Sequence, residues 1–273
     1  MDHAPEELPD WAPPGVDLTL PSAARMYDYY LGGAHNFAVD RELAGQALAL
    51  FPDGPMNAQA NRAFLDRSVR YLLGQGIRQF LDIGSGIPTA GNVHEIVQKA
   101  DPPGRVLYVD HDPVAVAHSE LILRGNPRAR VLKADLRRPE EILQAPVLTE
   151  LLDLDQPVGL LMVSVLHFVA DQDRPEEILA RFRDRFVSGS HLVISSGTDE
   201  VRAGEMSKLK NLYQDTSTPV TYRNRAQVAA LFTGWDLVEP GAVFVPEWHP
   251  DWPDEVGRNP EETPIVGAVG RKP

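Results

Sequence analysis

The chain has 273 residues, 43% hydrophobic and 24% charged, with a formal net charge of −13 and no cysteine. That length and composition suit one large α/β domain or two small ones with a sizeable core, and the missing cysteines exclude disulfides and thiolate metal sites. The acidic balance repels nucleic acid unless a local basic patch exists. No apolar run approaches the roughly 18 residues of a membrane span, and the acidic, Pro-rich opening MDHAPEELPDWAPPG does not read as a secretory signal, so a cytoplasmic protein is expected.

Residues 1–20 read as an irregular arm. PSAARMYDYYLGG (21–33) has a Pro-Ser start and a Gly-Gly stop, which predicts a short helix, and NFAVDRELAGQALALF (36–51) predicts a second one ended by PDGP. Residues 57–73 carry Leu65, Val69, Leu72 and Leu73 on one face and predict an amphipathic helix that stops at Gly74-Gln75-Gly76. The rhythm then changes. QFLDIG (79–84), RVLYVD (105–110), ARVLKAD (129–135), a stretch within PVGLLMVSVLHFV (157–169) and SHLVISSG (190–197) read as short strands. A helix of about ten residues is expected between the first two, and further helices over 113–123, 139–152 and 174–187. Such alternation predicts a parallel sheet covered on both faces and, with right-handed crossovers, a doubly wound fold. A helix over 223–235 and two strands over 235–248 and 264–272 then suggest an antiparallel edge. The expected organisation is an N-terminal arm and helical cap over 1–56 and a Rossmann-like domain over 57–273. The basic stretches RGNPRARVLK (124–133) and RFRDRF (181–186) are interleaved with apolar or acidic residues and read as solvated faces.

In a doubly wound sheet, ligands bind beyond the carboxyl ends of the strands. FLDIGSGIPTAG (80–91) lies at the first such end, where Gly84 and Gly86 allow positive φ and close approach of a ligand. The turn lacks the third glycine of the dinucleotide fingerprint, because position 89 is Thr. The second strand ends in YVDHDP: Asp110 can accept hydrogen bonds from ribose hydroxyls, while Asp112 before Pro113 suits a helix cap. The third ends in KADLRRP, where Asp135 either reaches an adenine amine, with Leu136 on the ring, or caps the following turn. Thr89 and Asn92 open the next helix, where a hydroxyl or amide either caps it or binds a carboxylate. Arg62 either binds a carboxylate or pairs with Asp66 four residues on.

Three strand ends in the order G-S-G, D and A-D-L resemble the class I S-adenosylmethionine-dependent methyltransferases. PSAARMYDYYLGGAHNFAVDRELA, FLDIGSGIPTAGNVHEI, VLYVDHDPVAVAHS and RNRAQVAALFTGWDLVEPG narrow the resemblance. They are similar to a family abundant in actinobacteria, first filed as a domain of unknown function and later labelled S-adenosyl methyltransferase. The likeness implies a mostly parallel sheet with an antiparallel C-terminal strand and S-adenosyl-L-methionine as cofactor. It also implies a glycine turn on the methionine portion, the second-strand acid on ribose and the third-strand acid on adenine. The candidate cofactor-binding set is Asp82, Gly84, Ser85, Gly86, Thr89, Asp110, His111, Asp135, Leu136 and Ser164, joined by Tyr27, Tyr30 and Arg62 from the N-terminal helices.

His167, in SVLHF at the end of the fourth strand, is the candidate general base. The expected acceptor is a small molecule. The alternatives are a protein methyltransferase and a nucleoside-binding protein without turnover. Nucleic acid is disfavoured by charge and by the missing Asn/Asp-Pro-Pro-aromatic pattern. No resident metal is expected, although Asp171 and Asp173 are oxygen ligands in principle.

Overall fold

The computed structural model describes residues 12–13, 16–88, 91–214, 218–252, 256 and 259–273; residues 1–11 of the expected arm lie outside them. Three helices come first, α1 (Ala23–Tyr30), α2 (Ala38–Leu50) and α3 (Gly54–Gly74). The alternating region contains β1 (Gln79–Ile83), α4 (Val93–Val97), β2 (Arg105–Asp110), α5 (Pro113–Ile122) and β3 (Ala129–Lys133). It continues with α6 (Pro139–Leu143), α7 (Pro146–Leu151), β4 (Gly159–Val163), α8 (Pro175–Arg185) and β5 (His191–Gly197). The chain ends with α9 (Ala203–Tyr213), α10 (Arg225–Ala230), β6 (Asp236–Leu237), β7 (Val243–Phe244) and β8 (Ile265–Arg271).

The strand order is β3-β2-β1-β4-β5-β8-β6, with β7 also paired to β8. The strands β1 to β5 pair in parallel, and β8 runs antiparallel beside β5, from Gly197↔Ile265 to His191↔Arg271. This is the expected doubly wound, mostly parallel sheet with an antiparallel C-terminal strand. Every residue of β1 is buried, as a strand covered on both faces requires. One core packs Leu81, Leu160 and Ile194 against Ile142, Phe182 and Phe232; the other packs Phe80, Val106 and Val193 against Phe64, Val97 and Trp248.

The differences have local causes. The helix between β1 and β2 spans five residues instead of about ten. The expected helix over 139–152 is broken at Ala145, which is extended (ψ 127°) because the following Pro146 disfavours the helical region. The strand expected over 235–248 is reduced to β6 and β7 by Pro240 and Gly241, which has φ +86°. Helix α9 was not expected; its first flank is Arg202 at φ +53°, with no capping side chain to announce it. The basic stretches are solvated, with Arg130 paired to Glu150 at 2.9 Å and Arg181 to Glu140 at 3.7 Å. Among the described residues no helix is long and apolar enough to cross a membrane.

The cap is pinned by a buried polar knot. Asp40, fully buried, accepts the N–H groups of Ser22 (2.9 Å) and Phe37 (2.8 Å) and pairs with Arg25 at 3.1 Å. Arg25 also donates to Leu20 O at 2.6 Å and lies over the Phe37 ring. A charge buried without such partners would cost several kcal/mol, so α1 and α2 hold one mutual arrangement. On the other side α9 packs on α2 through Met206 and Leu209 against Ala47 and Phe51. Arg202 stacks on the Phe51 ring at 4.3 Å and pairs with Asp53 (2.6 Å) and with Glu205.

Candidate active site

The carboxyl ends of β1, β2 and β4 meet beneath this cap, where the strand order reverses. After β1 the backbone turns through Gly84 (φ +70°), where a Cβ would lie 2.3 Å from Val165 Cγ2; the turns after β1 and β4 are packed together. The N–H groups of Gly84 and Ser85 donate to Val109 O at 2.8 and 3.3 Å. Gly86 (φ +67°) faces open space, and its N–H donates to Asp110 Oδ2 at 2.8 Å. Asp110 Oδ1 accepts the Asp112 N–H at 2.9 Å. A carboxylate offers about four acceptor positions, so two remain for a ligand.

Above these turns lies a cavity of about 250 Å³. Its floor contains Asp82, Gly84, Ser85, Gly86, Asp110 and His111; Ser164, Val165 and His167 stand beside it. Its roof contains Tyr27 and Tyr30 of α1, Phe51, Asn57, Asn61 and Arg62 on and before α3, and Met206, Leu209 and Tyr213 of α9.

Asp82 is 6% exposed, and burial pushes its carboxyl up to about 7, with nearby Arg62 lowering it and Asp110 raising it. Among the described residues no hydrogen-bond donor reaches Asp82, and the buried Ser85 Oγ has no partner. A floor of two desolvated carboxyls and an unused hydroxyl fits a ligand that brings a cation and hydroxyl groups. Burial, and then Arg223, push His167 down to about 4. His167 Nδ1 accepts the Gly197 N–H at 3.3 Å, which leaves the ring proton on Nε2.

Ser164 has φ +55°, a strained conformation for a residue with a side chain, costing roughly 1–3 kcal/mol. Its N–H donates to Ser195 Oγ at 2.9 Å and to Ser195 O at 3.1 Å. Ser195 Oγ donates to Asn61 Oδ1 (2.6 Å), Asn61 Nδ2 to Tyr27 OH (3.0 Å), and Tyr27 OH to Ala58 O (3.1 Å). This chain of hydrogen bonds joins the end of β4 to the cap.

The cavity thus gathers Asp82, Gly84, Ser85, Gly86, Asp110, His111, Ser164, His167, Tyr27, Tyr30 and Arg62. Thr89 lies outside the described residues. Asp135 and Leu136 do not line the cavity. Asp135 accepts the Arg137 N–H at 2.9 Å and pairs with its guanidinium at 2.6 Å, closing its own turn, while Leu136 is buried in the core. Asn92 precedes α4 but does not cap it with its side chain, which donates to Glu95 Oε1 at 2.9 Å. Asp66 pairs with Arg70 at 2.7 Å instead of Arg62, whose Nη2 donates to Gly91 O at 3.2 Å. Asp112 caps α5, accepting from Val114 (2.8 Å) and Ala115 (3.1 Å). Among the described residues no acidic or histidine cluster forms a metal site.

The sequence reading missed Asn57, Asn61, Ser195, Phe51, Tyr213 and Tyr222. For the two asparagines a signal existed. They stand four apart on the face of α3 that also buries Ala58, Phe64, Leu65 and Leu72, so they are amides on a largely apolar stripe that also holds Ser68.

A family described as S-adenosyl methyltransferase matches residues 9–273. A DUF574 family protein from Streptomyces avermitilis is 39% identical with a TM-score of 0.89, over 94% of this chain and 99% of that one. A candidate methyltransferase from Thermobifida fusca is 36% identical with a TM-score of 0.90, over 97% and 99%. A protein solved with the Haloferax volcanii Trm112 methyltransferase activator, 14% identical with a TM-score of 0.52 over 80% and 94%, shares the fold alone. No protein of curated function matches the chain. With nearly the whole chain covered and the strand-end turns gathered at one cavity, this protein belongs to the S-adenosyl methyltransferase family, whose cofactor is S-adenosyl-L-methionine.

Proposed function

We propose that the methyl group goes to a small molecule held between the cap and the sheet. The observation that carries this reading is the continuity of one cavity from the polar floor of strand ends to an apolar chamber roofed by α1, α2 and α9. A roofed chamber suits a metabolite better than a peptide or a nucleic acid strand, and the net charge of −13 adds a long-range cost for nucleic acid. We place the enzyme in the cytoplasm on its lack of cysteine.

S-adenosylmethionine supplies a methyl group on a positively charged sulfur, already activated for displacement. The protein's task is to bind, align and exclude water. The Gly84–Gly86 turn would give the cofactor backbone access, Asp110 would offer two acceptor positions to its ribose hydroxyls, Asp82 would hold the ammonium of the methionine portion, and Arg62 its carboxylate. Alignment of this kind contributes up to about 7–11 kcal/mol to a bimolecular reaction. His167 fits a donor role through Nε2–H better than a base: Nδ1 is engaged and the ring is neutral at physiological pH.

The test is calorimetric titration with S-adenosylmethionine and S-adenosylhomocysteine, beside Asp110→Ala, followed by small-molecule and protein fractions offered as acceptors. Micromolar cofactor binding that the variant loses, with acceptor-dependent turnover on small molecules, supports the reading. Methyl transfer confined to the protein fraction overturns it.

A further inference from the structure

Asn57, on the first turn of α3, is 5% exposed and lines the cavity, yet among the described residues neither Nδ2 nor Oδ1 has a hydrogen-bond partner. Buried carboxamides left wholly unpaired are rare, because the lost hydration is not replaced. Nothing in the fold needs an amide here. Its neighbour on the same face, Asn61, uses both ends, accepting from Ser195 and donating to Tyr27. Tyr30, Phe51, Met206, Leu209, Tyr213 and Tyr222, which line the same cavity from the cap and the segment after α9, are apolar or phenolic. Burial raises the Tyr30, Tyr213 and Tyr222 phenols above their ordinary value, so they stay neutral at any physiological pH. The charged side chains among the described lining residues, Arg62, Asp82 and Asp110, belong to the cofactor end.

We propose that Asn57 is the polar anchor of the acceptor pocket, and that the acceptor is an uncharged, largely apolar molecule whose donor–acceptor edge pairs with the Asn57 carboxamide. This rests on the small-molecule reading above and narrows it. A carboxamide presents one acceptor and one donor side by side and matches an edge with the same two functions in reverse, such as a lactam or a hydroxyl that both donates and accepts. A charged molecule would lose its hydration against phenyl and phenol faces, with no counter-ion among the described lining residues of that half to meet it. A molecule with no polar edge would leave the amide unpaired, and a site built to hydrogen-bond discriminates steeply in that direction.

The experiment uses the full chain saturated with S-adenosylhomocysteine and three probes of similar size: quinolin-2-one, naphthalene and 2-naphthoate. Binding is read by calorimetry on the wild type and on Asn57→Leu, with melting temperature recorded for both. The wild type should bind quinolin-2-one at least tenfold tighter than either other probe. Asn57→Leu should lose that preference and favour naphthalene, while melting no lower, because an orphaned amide has been replaced by an apolar group of the same reach. Tightest binding of 2-naphthoate, binding of none of the three, an unchanged ranking in Asn57→Leu, or a large fall in its melting temperature would each overturn the proposal. S-adenosylhomocysteine binding, measured first on each protein, separates the two readings: without it the small-molecule methyltransferase reading falls, whereas intact cofactor binding with the wrong ranking refutes only the role given to Asn57.

Discussion

With Asp82 set against a cationic part of the cofactor, as proposed above, cofactor affinity should depend on pH in one direction. In the free protein its carboxyl is held at about 7 by burial, against an ordinary 3.8, so at pH 5 only about 1% is ionised and at pH 7 about half. A cation brought against it favours the ionised form and returns the group toward its ordinary range. Affinity should therefore rise with pH, by about fifty-fold between pH 5 and pH 7, or roughly 2.3 kcal/mol. At pH 7 each binding event should release about half a proton, read by calorimetry in two buffers of different ionisation enthalpy. Asp82→Asn removes this share while leaving Asp110, His111 and Arg62 in place; its profile should flatten and its affinity at pH 7 fall. A wild-type affinity independent of pH, with no proton release, would refute the assignment of Asp82 to a cationic part of the cofactor.

Other consequences are equally open to measurement. Gly84→Ala drives a Cβ to 2.3 Å from Val165 at positive φ and should cost about 3 kcal/mol or more in chemical denaturation, whereas Gly86→Ala meets open space and should cost about 1–2 kcal/mol while abolishing cofactor binding. His167 binds its proton near pH 4 when folded and near 6.5 when unfolded, so the folded state should lose about 3 kcal/mol as pH falls from 6.5 to 4; His167→Asn should remove that slope in denaturation at stepped pH. In turnover the same substitution should lower kcat by less than tenfold, since no base is lost; a collapse of more than a hundredfold would restore His167 as the base. Arg202→Ala gives up the Asp53 and Glu205 pairs and the Phe51 stack, which should cost about 1–2 kcal/mol and speed hydrogen exchange across 203–213 before the sheet opens.

The sheet was legible because its strands are short unbroken apolar runs ending in turn residues, and a strand such as β1, buried on both faces, leaves no other pattern. The placement of the glycine turn and Asp110 at the cavity was legible for a similar reason: both lie at strand ends of a doubly wound sheet. Asp135 was not, because its outcome depended on the side chain two residues on, and Arg137 claims both of its oxygens. Helix α9 carries Met206 and Leu209 on the face toward α2, but Gly204 and an uncapped start hide it. Asn57 was hidden by the opposite problem. Its amide has meaning only once the walls around it are known to be apolar, and those walls come from α1, α9 and the segment after α9.

The hydrogen bonds from Ser164 through Ser195 and Asn61 to Tyr27 bear on what an exchange of the cap would have to carry with it. Every link donates in the same sense, ending at Ala58 O, so the Tyr27 proton is committed and the phenol shows the pocket only a lone pair. Residues from α1, α3 and β5 form one unit although nearly 170 positions separate its ends. A chimera that exchanges α1 and α2 alone would bring a new residue 27 to an Asn61 and a Ser195 already oriented for a tyrosine. An exchange of the cap would thus keep this network only if the three positions travel together.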